Sequence, residues 1–166
     1  MAGRHRASRY ESSGGDRWNG DDVTKVVASC HMTPDQILAC TLWSEDRGGG
    51  AEGMEPIAGV ILNRSDHPGW WGHDIVGVCL CPGQFDGWNW RDPNFRPLLT
   101  VNELSEDFKE ALVISQAALS GEQINRANGA THYYAKSMTH KPDWALNLTP
   151  CFETEHHLFF KIGLGK

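Results

Sequence analysis

At 166 residues the chain has the length of one ordinary domain, enough to bury a single good core. A formal charge of −6 argues against a general nucleic-acid binder. No apolar run reaches the roughly 18 residues that a membrane span needs.

Residues 1–20 are polar, rich in Gly and Ser, and weakly basic. They read as a flexible N-terminal arm or an anchor onto a partner. Their arginines precede no apolar stretch, so they do not read as a secretory signal. Synthesis in a cytoplasm without a signal peptide is the expectation. The folded part is expected from about Asp22, with 21–166 as one domain, and VTKVVASC (23–30) fits a short helix or a strand.

Thr33-Pro34-Asp35-Gln36 is a strong helix start, with Thr33 as N-cap, Pro34 at N1 and Gln36 completing a capping box. Ile37, Leu38, Thr41 and Leu42 then form an apolar face at helical spacing. That helix should stop near Asp46, because Gly48-Gly49-Gly50 do not sustain it. A second helix is expected from Glu52 or Met54 to Ser65, with Met54, Ile57, Val60 and Ile61 on one side and Pro56 in its first turn. A short helix over 73–80 precedes a long aromatic loop, 81–100. A third clear helix runs from Ser105 to Ser120 on Phe108, Ala111, Leu112, Ser115, Ala118 and Leu119, with Gly121 as C-cap. Residues 129–134 look extended. Pro142-Asp143-Trp144 opens a turn or short helix, and 156–160 reads as a strand pairing with 130–134 or 150–154. The fold class is α+β, mostly α, with a small β element near the C-terminus.

Five cysteines (Cys30, Cys40, Cys79, Cys81, Cys151) include no C-x-x-C pair. They are expected as mostly buried, reduced thiols, with a Cys79 or Cys81 bridge to Cys151 left open. Seven tryptophans are many for this length. Trp70-Trp71 and Trp88-Asn89-Trp90 stand in loop-like surroundings, where they either pad a core edge or stack on sugar rings.

Glu45 closes the first clear helix two residues after Trp43. A carboxyl beside aromatic surface has its ionised form desolvated, which raises its pKa and suits a general acid. Protonating a glycosidic oxygen needs that property. The plainer reading of a helix-end acid is a solvated charge. Asp46 is the rival to Glu45 and is expected to be the solvated one, and Arg47 to pair with either acid.

The blocks WSEDRGG, EGMEPIAGVILNRSDHPGW, CPGQFDGW, GATHYY, PDWALNL and HHLFF, in that order, resemble the cell-wall hydrolases related to the spore-cortex-lytic enzyme SleB. Asn63 and Arg64 follow Glu45 by 18 and 19 residues (63 − 45 and 64 − 45), the family spacing. The resemblance runs over about residues 34–161. It implies a lysozyme-like domain that cleaves peptidoglycan between N-acetylmuramic acid and N-acetylglucosamine. In such lytic transglycosylases a single glutamate acts as acid and then base, with no cofactor, and the product is a 1,6-anhydro sugar. Glu45 matches that glutamate. Gln84 and Phe85 match a Gln-Phe block. His132, Tyr133, Tyr134 and Trp144 fall in the later blocks, and these six are candidate substrate-binding residues. One of the two tyrosines is expected to bond the acid, and alternation along a strand should turn them opposite ways. His157 is expected to brace the strand, and Asn63-Arg64 to tie the fold. The sequence departs from the family pattern at Asp46, where an alanine is usual, and at Gly49, where a second glutamate is usual. An Asp46 carboxylate close to Glu45 would raise the pKa of Glu45 further.

Two rival readings remain open at this level. One is a metal-dependent amidase or peptidase using His67, His73, His132, His140, His156 and His157. No H-E-x-x-H spacing occurs, and His156 and His157 would face opposite sides of a strand. The other is a structural tail component that has lost activity. The expected partners are peptidoglycan and, through residues 1–20, the tail of a phage, prophage or gene-transfer particle, with action at the cell wall or periplasm.

Overall fold

The computed structural model describes residues 20–163, so the expected arm lies outside the described residues. The first element is a helix, α1 (Gly20–Ser29), not a strand, and it presents Val23 and Val27 to the core.

The helix α2 (Pro34–Asp46) starts where the capping residues place it, with the Thr33 amide donating to Gln36 Oε1 at 2.9 Å. It is buried on more than the expected face. Ala39, Cys40 and Trp43 are covered as well as Ile37, Leu38, Thr41 and Leu42. A helix apolar on most sides belongs at the centre of a domain, and α2 packs against both α3 (Gly50–Asp66) and α6 (Glu106–Ser120).

The glycines after Asp46 do not form a loose link. Residues 47–49 make one 3₁₀ turn, and α3 begins at once from Gly50, whose φ of +57° turns the corner. Pro56 therefore lies inside α3, beyond its first turn. Met54, Ile57, Val60 and Ile61 are all fully buried, as their spacing requires. Gly59 answers a packing demand. A Cβ there would lie 2.2 Å from the carbonyl oxygen of Asn125, so the 125–126 segment crosses α3 at backbone contact.

The short helix α4 (Ile75–Cys79) is capped by Asp74, which accepts from Gly77 N at 2.6 Å. The expected long loop is partly helical, with a 3₁₀ turn at Asp86–Trp88 and α5 (Phe95–Thr100). In α6 the buried residues are Phe108, Ala111, Ile114, Ser115 and Ala118, while Leu119 is exposed. Gly121 ends that helix at φ +79°.

The sheet is antiparallel, in the order β1 (His132–Ala135), β3 (His157–Phe160), β2 (Phe152–Glu153). The last strand pairs with both expected partners: Tyr133 opposite Phe159, and Phe152 opposite Phe159 from the other side. Tyr133 and Phe159 face the main core. Tyr134 and Phe160 face a second cluster with Trp144. All five cysteines are free; Cys40 and Cys79 are buried, Cys81 and Cys151 half-buried, and Cys30 exposed. No helix of the described residues is long and apolar enough to cross a membrane.

Candidate active site

Glu45 sits in the last turn of α2, half-buried. The Tyr133 hydroxyl, on β1, donates to Glu45 Oε2 at 2.7 Å. Burial pushes the Glu45 carboxyl up to about 7. The Tyr133 bond and the Arg64 charge work against that rise, and the negative charges of Asp86 and Asp92 work with it. The Tyr133 phenol is driven well above its ordinary value of 10, by burial first and by Glu45 second. It therefore stays protonated and remains a donor. Of the two tyrosines it is the one that reaches the acid, and strand alternation turns Tyr134 to the opposite face.

The Asn63-Arg64 pair ties α3 to the segment before β1. Asn63 Nδ2 donates to the carbonyls of Arg126 at 3.0 Å and Ala130 at 2.7 Å, and Arg126 Nε donates to Asn63 Oδ1 at 2.8 Å. Arg64 is buried. Its Nε donates to the Thr131 carbonyl at 2.7 Å and its Nη1 to Gln84 Oε1 at 3.3 Å. Arg64 thus does more than brace: it holds the Gln84 amide and brings a cation into the field of Glu45.

Glu45, Tyr133 and Gln84 gather around Arg64; the other candidates do not join them. Phe85 is 3% exposed, packed in the core beneath Arg64. Its ring offers no face to a sugar. Tyr134 and Trp144 pack together at 5.9 Å, with Phe160 stacked on Tyr134. His132 lies on that same side, 5.3 Å from the Trp144 ring and 6.0 Å from Trp71. The loop tryptophans divide. Trp71 and Trp88 are buried and donate their indole N–H groups to Arg64 and His67 carbonyls and to Thr41 Oγ1. Trp70 and Trp90 are 58% and 45% exposed.

Asp46 is not the solvated acid. It is 7% exposed. Its Oδ1 receives His156 Nδ1 at 2.6 Å, and its Oδ2 lies 3.3 Å from His157 Nδ1. One residue on from Glu45 the helix has rotated by a quarter turn or more, which aims Asp46 at the start of α3. Arg47 pairs with neither acid. Its guanidinium lies over the Trp43 ring at 4.2 Å and donates to Asn94 Oδ1 at 3.0 Å. The two histidines converge instead of facing opposite ways, because β3 starts at His157 and leaves His156 in the preceding turn. Asp46 holds the His156 imidazole above its usual range, while burial lowers that of His157 against the pull of the same carboxylate.

Asp86 and Asp92, whose charges act on Glu45, were not singled out in the sequence. The signal was two aspartates in a Gly- and Trp-rich loop two blocks away from the acid. Among the described residues no group of three or more His, Cys, Asp or Glu side chains is placed to hold a metal ion.

A family model described as Cell Wall Hydrolase matches residues 48–160. The match begins just past Glu45 and does not include it. No curated protein and no solved structure matches the chain.

Proposed function

The chain belongs to the cell wall hydrolase family, and we propose that it cleaves the glycosidic bond between N-acetylmuramic acid and N-acetylglucosamine of peptidoglycan, with Glu45 as the single general acid and base. The observation that carries this reading is a carboxyl raised to about 7 by burial and held by a phenol on one oxygen. Such a group is still partly protonated at neutral pH and can donate to the leaving oxygen. Oε2 is taken by Tyr133, which leaves Oε1 for the substrate. After the bond breaks, the Glu45 carboxylate takes a proton from the attacking hydroxyl. In the lytic transglycosylase reading that hydroxyl is the muramic 6-OH, and the product is a 1,6-anhydro sugar. Gln84, an amide fixed by Arg64, can offer a donor and an acceptor to sugar hydroxyls or an N-acetyl group. The exposed Trp70 and Trp90 can pack on sugar C–H faces.

Ordinary hydrolysis is the second reading, with Asp86 and Asp92, whose charges act on Glu45, as its candidate second carboxylates. A second carboxylate can serve a water molecule or the anomeric carbon. Mass spectrometry of digested peptidoglycan separates the two. Anhydro-muropeptides support the transglycosylase, and reducing-end sugars support hydrolysis. Free amino termini on the stem peptides, lost with EDTA, would replace both with an amidase. No product at all would point to a structural tail component. A phage or particle setting is part of this proposal.

A further inference from the structure

Two glycines enclose the Asp46 carboxylate, and the backbone requires neither of them. Gly49 has φ −85° and ψ −3°, which any residue adopts. Gly53 lies inside α3, where glycine is about 1 kcal/mol worse than alanine. Both are required by space: a Cβ at 49 would lie 2.6 Å, and one at 53 only 2.2 Å, from Asp46 Oδ2. The cradled carboxylate is hydrogen-bonded to His156 at 2.6 Å, and its Oδ2 lies 3.3 Å from His157 Nδ1, an ion-pair distance at which neither buried atom completes a hydrogen bond. His157 stands edge-on to the Tyr133 ring, with centroids 5.3 Å apart and planes at 84°. Tyr133 donates to Glu45. The end of α2 is thus held twice from the sheet, by β1 at Glu45 and by the β3 end at Asp46.

We propose that Asp46 is a positioning residue for the Glu45 reaction: from its glycine cradle the carboxylate packs against His157, and His157 packs edge-on against the Tyr133 ring whose hydroxyl holds Glu45. The proposal rests on Glu45 being the acid. Asp86, Asp92 and Arg64 are the charges that shift Glu45 most, and the contacts of Asp46 run towards it through His157 and Tyr133. Around Asp46 itself stand His156 and His157, with Glu52, Glu55, Glu153 and Glu155 lining the same cavity and Lys136 acting on His157. Losing the Tyr133 bond removes an interaction that favours the ionised carboxylate, so the Glu45 limb of a pH–rate profile moves to higher pH.

The test compares Asp46→Ala, Gly49→Ala, the double variant Asp46→Ala/Gly49→Glu, Tyr133→Phe and Glu45→Gln on purified peptidoglycan. Asp46→Ala should lower kcat roughly 10- to 100-fold with KM within about twofold, the mark of lost positioning. Its Glu45 limb should move up, as in Tyr133→Phe. In the double variant a glutamate grows from position 49 into the space Asp46 leaves, and kcat and the limb should return towards wild type. Gly49→Ala keeps the carboxylate but displaces it, and should move the same limb even if Asp46→Ala does not fold. Wild-type kcat and profile in Asp46→Ala, or in Gly49→Ala, would overturn the proposal. So would a loss of activity with an unmoved limb that the double variant does not restore. Glu45→Gln separates the two claims: if it cleaves like wild type, the Glu45 assignment itself fails. If it is inactive while the Asp46 and Gly49 variants behave as wild type, only the positioning role fails.

Discussion

At the scale of single residues, Glu45 and Asp46 show how little an acidic pair reveals by composition. The desolvated carboxyl of Glu45 was legible because it follows Trp43 at the end of a well-marked helix. Asp46 was not. A charge at a helix end normally meets water, and its partners, His156 and His157, lie 110 and 111 positions away (156 − 46 and 157 − 46). The local hint was the pair of glycines at 49 and 53, which reads as flexibility until the space around them is known. Tyr133→Phe tests the residue-scale account of Glu45. The hydroxyl stabilises the carboxylate, so its removal should raise the Glu45 pKa and shift the alkaline limb of cleavage upward, while the lost hold on the acid lowers the plateau rate about tenfold or more. An unchanged profile would mean that the 2.7 Å bond has no bearing on the acid.

At the scale of elements, α2, α3 and α6 could be read because caps and 3.6-residue periodicity agreed. Thr33, Pro34 and Gln36 mark one start and Gly121 one end. The stretch 81–100 was harder. A 3₁₀ turn of three residues and a helix of six are too short to show a period, and their form is set by packing on α2. Pro56 misled because proline usually marks a first turn, whereas α3 had already begun at Gly50. The crossing at Gly59 is an element-scale test. A methyl group there meets the Asn125 carbonyl and the Arg126 Cα, which are backbone atoms. Gly59→Ala should therefore destabilise by about 1–3 kcal/mol in urea unfolding despite the gain in helix propensity. A more stable variant would show that α3 and the 125–126 segment are not in contact.

At the scale of the whole molecule, the pairing of β3 with both other strands could not be chosen from sequence, since both partners were equally extended. That pairing is what carries Tyr133 to α2 and brings His157 beside it. The buried acid also leaves a signature in global stability. Its pKa rises from 4.5 to about 7 on folding. Its contribution is therefore fully present below about pH 4.5 and is lost as pH rises through about 7. The loss is at most about 3 kcal/mol for this half-buried group. In Glu45→Gln that loss is absent. The difference in unfolding free energy between variant and wild type should grow in favour of the variant from pH 4.5 to 8; a flat difference would mean that the acid is not desolvated. The most direct test of the central claim is the release of soluble muropeptides from purified peptidoglycan by wild type and Glu45→Gln at equal concentration, with thermal unfolding measured beside it. The account predicts release by wild type and a drop of at least about 10³-fold in the variant, which unfolds no lower than wild type. A folded Glu45→Gln protein that releases muropeptides at the wild-type rate would contradict it.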